Sequence, residues 1–272
     1  MTTPPPPSSR GRVLIIAGSD SGGGAGIQAD IKTTTMLGGY AMTALTAVTA
    51  QNTMGVLAIS PLSKDMVDKQ IQACLTDIGA DCIKTGMLGD TALIRSISDR
   101  LRQSAADTPR IIDPVMVATS GDLLVEPQAI EAIKTCLIAG ATLVTPNQPE
   151  AEHLTGLIIN TPDDQARAGE ALLDLGAKAA LVKGGHLPGQ TVVDVLVTKT
   201  GTQMFESPRI DTRSTHGTGC TLASAIATYL ALGLDLKTAT QYARTYLWGA
   251  IQNAPGLGQG HGPVKHNWRL DQ

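Results

Sequence analysis

The sequence predicts an α/β fold, with a mostly parallel central sheet covered by helices on both faces. Three observations carry this expectation. Short β-branched runs recur with continuous rather than alternating apolarity, as strands buried on both faces require. Longer stretches at helical spacing lie between them, and a strand–helix–strand alternation of this kind sets parallel strands side by side. No internal repeat or linker interrupts the pattern after residue 12, and 272 residues are enough to bury one large core. The expected organisation is a flexible tail at 1–11 and a single domain at 12–272.

Taken in order, "RVLIIAG" (12–18), "CIKTG" (82–86), "RIIDPV" (110–115), "ATLVTP" (141–146) and "AALVKGG" (179–185) read as buried strands. Helices are expected at about 25–38, 64–78, 90–103, 127–138, 148–156 and 163–175. The stretch "VVDVLVTKTGTQMFE" (192–206) reads as a hairpin turning near Gly201, which makes an antiparallel edge. Two helices follow, at about 217–232 and 236–253. Leu222, Ile226, Tyr229 and Leu230 share one face of the first, which should pack on the sheet.

A net charge of -3 with 17% charged residues, and no block of like charge, gives no reason to expect nucleic acid or an anionic membrane as partner. Two Trp, four Tyr and one Phe also leave few platforms for stacking bases. The N-terminus has no apolar run, and later apolar stretches are too short or too interrupted to span a bilayer, so a cytoplasmic protein is expected. Four cysteines without C-x-x-C spacing do not form a disulfide scaffold. Cys74, Cys82 and Cys136 read as reduced core residues.

Open α/β sheets bind ligands at the carboxyl ends of their strands, so the loops after the strands carry the chemistry. After the first strand comes "GSDSGGGAGIQAD" (18–30). It lacks the Gly-Lys-Ser/Thr of a Walker A loop and the spacing of a dinucleotide fingerprint, and no Asp or Glu follows from Ile31 to Lys64 to hold a ribose. Its glycines could equally serve close helix-to-strand packing, and Asp30 could simply favour the helix dipole. After the third strand, Asp113 precedes Pro114 at the sheet edge, where a carboxylate suits Mg²⁺. In "TPNQPEAEHL" (145–154), Glu150 either completes a capping box with Asn147 or helps hold a hydrated Mg²⁺. Lys183, ending a buried strand, needs an anion or solvent and is a candidate phosphate contact. In "STHGTGC" (214–220), Gly217 and Gly219 bring backbone N–H groups to a helix N-terminus, which suits phosphate. Cys220 lies in the first turn of that helix, a setting that lowers a thiol's pKa and would make it a base, unless it only packs beneath the turn.

With these residues in place, the chain from about 12 to 268 resembles the ribokinase-like superfamily, and within it the hydroxymethylpyrimidine and phosphomethylpyrimidine kinases. The segments "GGAGIQADIKT", "TAVTAQNTMGV", "IKTGMLGD", "DPVMVATSGD", "LVTPNQPEAEHLTG", "VKGGH" and "STHGTGCTLASAIA" carry the resemblance. It implies phosphorylation of an aminopyrimidine hydroxymethyl group from ATP, and then of the resulting monophosphate, by a homodimer. It further implies that Gln51, Gly18, Asp30, Met87 and Val115 bind the pyrimidine, that Lys183, Thr215 and Thr218 bind ATP, and that Asp113 and Glu150 serve Mg²⁺. Cys220, Gly217 and Gly219 would be catalytic, with 116–123 as a flap over the site. A glutamine amide can donate and accept together, as an aminopyrimidine edge requires. The family usually has Asp-Pro-Ser-Gly-Gly where this chain has "DSGGG", often a lysine at Thr119, and often a basic residue near Gln259. A pyridoxal kinase of the same branch is the nearest alternative, and a non-catalytic pyrimidine-binding regulator the alternative from another class.

Overall fold

Val13, Leu14, Ile15 and Ile16 of the first strand are all fully buried, and they alternate between two separate apolar cores. A strand in that position must lie inside a sheet covered on both sides. The computed structural model describes residues 11–116 and 127–271. Among them, β1 (Arg12–Asp20), β2 (Tyr40–Asn52), β3 (Gly55–Pro61), β4 (Cys82–Thr85), β5 (Arg110–Ile112), β6 (Leu143–Val144), β7 (Ala179–Val182), β8 (Thr191–Thr198) and β9 (Gly201–Pro208) form one sheet. Its order is β3-β2-β1-β4-β5-β6-β7-β8-β9. The six strands from β2 to β7 in that order pair in parallel. β3 at one edge and β8–β9 at the other are antiparallel.

The mostly parallel sheet and the 191–208 hairpin match the sequence reading. The second antiparallel edge was not expected. Strand β2 is rich in Ala and Thr with an interrupted burial pattern, while β3 carries the short apolar run VLAI (56–59) but mostly faces solvent at the sheet edge. The missed signal was the short apolar run at 56–59 following Asn52, whose side chain accepts the Met54 N–H at 2.8 Å and closes the turn.

Helices α1 (Gly26–Met36), α7 (Thr218–Ala231) and α8 (Leu236–Gln252) pack on one face of the sheet. Helices α2 (Lys64–Ala73), α3 (Thr91–Ser104), α4 (Pro127–Ala132), α5 (Gln148–Thr155) and α6 (Pro162–Asp174) cover the other. Their starts are written locally. Ser63, Asp90 and Asp235 each accept a first-turn N–H, and Asn147 and Thr161 each close a capping box. No helix among the described residues is long and apolar enough to cross a membrane. The expected tail lies at residues 1–10, outside the described residues, apart from Gly11.

From β1 the chain runs to β2 on one side, and later returns to place β4 on the other side of β1. Such a reversal opens a crevice at the carboxyl ends of the strands. Fold stability should register the helix starts: Thr161→Ala removes a cap worth about 1 kcal/mol. Urea unfolding should show a lower midpoint with unchanged slope.

Candidate active site

A cavity of about 860 Å³ opens at this carboxyl edge. Every candidate site residue except Asp30 lines it: Gly18, Gln51, Met87, Asp113, Val115, Glu150, Lys183, Thr215, Gly217, Thr218, Gly219 and Cys220. Strand ends deliver most of them. β1 ends beside Gly18, where a Cβ would collide with the Met87 side chain. Gln51 stands at a bulge in the β2–β3 pairing, with Oε1 accepting from the Thr49 hydroxyl at 3.2 Å. Of the expected flap, Met116 is buried and residues 117–123, including Thr119, lie outside the described residues.

Asp30 needs a correction. It is the fifth residue of α1, beyond the first turn, and is fully buried below the cavity. Both its oxygens lie 3.0 Å from Nζ of Lys84, and Oδ1 also accepts the Ser224 hydroxyl at 2.6 Å. It can influence a substrate only through these partners. Burial raises its carboxyl pKa, against the pull of Lys84. Lys84 itself was overlooked, although it stands in the middle of the strand "CIKTG", where a lysine without an anion is costly. Burial alone would lower its pKa, but Asp30, Cys220 and Asp113 together raise it, so its ammonium is a permanent charge in the floor of the cavity.

Above that pair stand Asp113, Glu150 and Lys183. Lys183 Nζ is 3.3 Å from Asp113 Oδ1 and 3.9 Å from Glu150 Oε2. The Thr145 hydroxyl also donates to Asp113 Oδ1, at 3.3 Å. Asp113 Oδ2 is buried without a hydrogen bond, 4.0 Å from Lys84 Nζ. Glu150 takes the capping role the sequence left open and also lines the cavity. It closes the capping box, accepting the Asn147 N–H at 2.7 Å while its own N–H donates to Asn147 Oδ1 at 2.9 Å, and it lines the cavity. Burial pushes its carboxyl up to about 7, with Lys183 opposing.

The glycine turn is built as expected. Gly217 has φ +81° at the N-cap of α7, so Thr218, Gly219 and Cys220 are its first three residues. Any Cβ at Gly217 would collide with the Gly24 carbonyl oxygen. Lys183 Nζ would lie 3.3 Å from a Cβ at Gly219, which brings the cation to the turn. The Thr218 hydroxyl donates to the Thr215 carbonyl at 3.0 Å. Cys220 departs from expectation. Burial pushes its thiol up to about 12; Lys84 pulls it down, while Asp30 and Asp113 hold it up. Desolvation outweighs the helix N-terminus, and the thiol rests protonated. All four cysteines are free, Cys82 buried and Cys74, Cys136 and Cys220 partly so.

Other lining residues escaped sequence reasoning. Asp20 and His216 meet across 2.8 Å, though both stood inside motifs already singled out. Arg209, Arg244 and Trp248 extend the cavity away from the turn. Arg244 and Trp248 stand one turn apart on α8, and tertiary packing brings Arg209 to them, so no sequence motif marks the three together.

A two-sided sheet whose carboxyl edge gathers a glycine-rich helix start, a lysine and two carboxylates has the architecture of the ribokinase-like kinases. A sequence model described as phosphomethylpyrimidine kinase matches residues 20–265, and the chain belongs to that family. The hydroxymethylpyrimidine/phosphomethylpyrimidine kinase of Streptomyces coelicolor is 45% identical over 272 residues, the full length of both chains. A Geobacter sulfurreducens protein named as a thiamine biosynthesis bifunctional protein is 48% identical over 94% of this chain and 52% of its own length. Among solved structures, a Clostridium difficile phosphomethylpyrimidine kinase matches with TM-score 0.79 and 43% identity over 88% of this chain and 99% of that one. A Bacillus subtilis pyridoxal kinase, solved as an ADP complex, matches with TM-score 0.88 and 35% identity over 96% and 99%.

Two outcomes follow from the charges. Glu150 has a folded pKa above its ordinary value of 4.5, so the folded state binds the extra proton and the residue's contribution to stability is fully present below about 4.5 and lost as pH rises to about 7. Glu150→Gln keeps the cap, so its thermal midpoint should gain on that of the unaltered protein across this window and not above it. Lys84→Met strands a buried carboxylate and should destabilise by about 3–5 kcal/mol, whereas adding Asp30→Asn should return most of that loss in denaturant titration.

Proposed function

We propose that this chain phosphorylates the hydroxymethyl group of 4-amino-5-hydroxymethyl-2-methylpyrimidine from Mg-ATP, and then phosphorylates the monophosphate to the diphosphate, as a step in thiamine diphosphate biosynthesis. The observation that carries this reading is the meeting of the 217–220 turn, Lys183 and Asp113 in one cavity that Gln51 also lines. Phosphoryl transfer asks a protein chiefly for alignment and charge neutralisation. The N–H groups of Gly217 and Gly219, with Lys183, Thr215 and Thr218, would bind the phosphates. Gly18, Gln51, Met87 and Val115 would hold the ring, with Gln51 reading its donor–acceptor edge.

The residues present fit a magnesium ion. Asp113 Oδ2 is a buried oxygen without a hydrogen bond, and Glu150 is close by through their shared partner Lys183. No cluster of three or more metal-ligating side chains occurs among the described residues. A hard cation would therefore complete its shell with water and phosphate oxygens, as Mg²⁺ commonly does. When bound, it would neutralise phosphate charge. Cys220 would first lose its own proton to solvent, and the thiolate would then take the proton of the acceptor hydroxyl as that oxygen bonds to phosphorus. Asp30 and Asp113 help hold the thiol protonated, so a cation held by Asp113 would ease its ionisation to the thiolate.

Pyridoxal kinase structures match this fold closely, with TM-scores up to 0.88, so pyridoxal belongs in the test. We place the protein in the cytoplasm, as a homodimer. The outer edge of the sheet supports pairing, because Met54, Leu57 and Ile59 on or beside β3 are exposed there. ADP release should be fast with the pyrimidine and with its monophosphate, and slower with pyridoxal. A preference for pyridoxal would overturn the substrate assignment, and no release with any of the three would overturn the kinase reading itself. Gln51→Leu should weaken pyrimidine binding by about 1–3 kcal/mol in calorimetry. Cys220→Ala should lower kcat about a hundredfold with both KM values held, as loss of a proton acceptor does.

A further inference from the structure

The two glycine-rich turns lie far apart in sequence and meet at one contact. Asp20, the last residue of β1, is 3% exposed. Its carboxylate accepts the backbone N–H groups of Gly22 at 2.8 Å, Gly24 at 3.0 Å and Ala25 at 2.8 Å, and so shapes the whole first turn. Its Oδ2 also lies 2.8 Å from Nε2 of His216, the residue before Gly217. A carboxylate oxygen can only accept, so His216 carries a proton on Nε2 and donates it here. The His216 backbone is held as well, its N–H donating to the Gly262 carbonyl at 3.1 Å.

The seating leaves no slack. A Cβ at Gly24 would collide with the His216 ring, just as one at Gly217 would collide with the Gly24 carbonyl. The first turn is in turn tied to Gln51, because the Ser21 hydroxyl donates to the Gln51 carbonyl at 2.9 Å and accepts the Gln51 N–H at 2.8 Å. A continuous path therefore runs from the backbone of Gln51 through Ser21 and Asp20 to His216 and the phosphate turn. Both ends of that path line the cavity.

We infer that Asp20 and His216 are positioning residues for phosphoryl transfer, fixing the N–H groups of Gly217 and Gly219 relative to the acceptor ring beside Gln51. The inference rests on the kinase reading above. His216 acts through the turn, because its Nε2 is committed to Asp20. In-line transfer is sensitive to misplacement, and an error of about 1 Å can cost about a hundredfold in rate while binding survives.

His216→Phe keeps a ring of similar size without the donor, and His216→Gln returns a side-chain N–H. His216→Phe should lower kcat about thirty- to a hundredfold with both KM values within about threefold, and His216→Gln should recover most of that loss. Hydrogen exchange of residues 214–220 in the folded protein should quicken at least about tenfold in His216→Phe and return toward the original rate in His216→Gln. Unchanged kcat in His216→Phe would overturn the inference. So would equal losses in both variants, or a loss in His216→Phe that merely follows its folded fraction. Exchange rates at 214–220 read the anchoring without any turnover. If the unaltered chain phosphorylates nothing, the kinase reading fails, and the exchange rates still decide whether Asp20 and His216 hold the turn.

Discussion

The buried Lys84–Asp30 ion pair is the constraint on which the site depends. Asp30, Asp113 and Glu150 are each at most 6% exposed, and carboxylates gathered in a protein interior repel one another and are stripped of water. Lys84 faces two of the three, Asp30 at 3.0 Å and Asp113 at 4.0 Å. Lys183 faces Asp113 at 3.3 Å and Glu150 at 3.9 Å. The two ammonium groups thus bridge the carboxylates in series. Asp113 is the shared member, and it keeps one oxygen without a hydrogen bond.

This arrangement follows from topology. β4, β5 and β7 are short parallel strands, and Lys84, Asp113 and Lys183 stand in or directly after them. Parallel strands end on the same side, so side chains far apart in sequence converge at the carboxyl edge. Asp30 reaches the cluster from α1 and Glu150 from the first turn of α5. The helix that carries Asp30 begins in one glycine turn, and the helix that carries Ser224 begins in the other. The Ser224–Asp30 hydrogen bond therefore joins these two helices beneath the site, as Asp20–His216 joins the turns above it.

Much of this was legible in the sequence, and what was missed has physical causes. Strands buried on both faces write themselves as continuous apolar runs, so β1, β4, β5, β6 and β7 could be read directly. β2 is broken up by Ala and Thr, and the short apolar run of β3 faces solvent at the sheet edge, so neither shows the pattern of a strand buried on both faces. Lys183 and Asp113 could be read because a charge at the end of an apolar strand needs a reason. Lys84 meets the same criterion, and only its place in mid-strand hid it. Asp20 and His216 were hidden differently: each sits in a legible motif, but their contact spans 196 positions and no local pattern encodes it. Asp30 was assigned to the ligand by resemblance, and its full burial moves its role to the support beneath.

The cysteine at 220 follows from the same balance of charge. An aspartate there would add a further carboxylate to a site that already holds Asp30 and Asp113. Both already act to hold the Cys220 thiol protonated. A thiol avoids that repulsion, because burial pushes it up to about 12 and it stays neutral in the free protein. Neutrality suits a residue that must share a pocket with phosphate oxygens until it ionises to take the hydroxyl proton. On the proposed reading, a cation held by Asp113 would favour ionisation of the thiol, so the thiolate that takes the hydroxyl proton would form more readily in the loaded site.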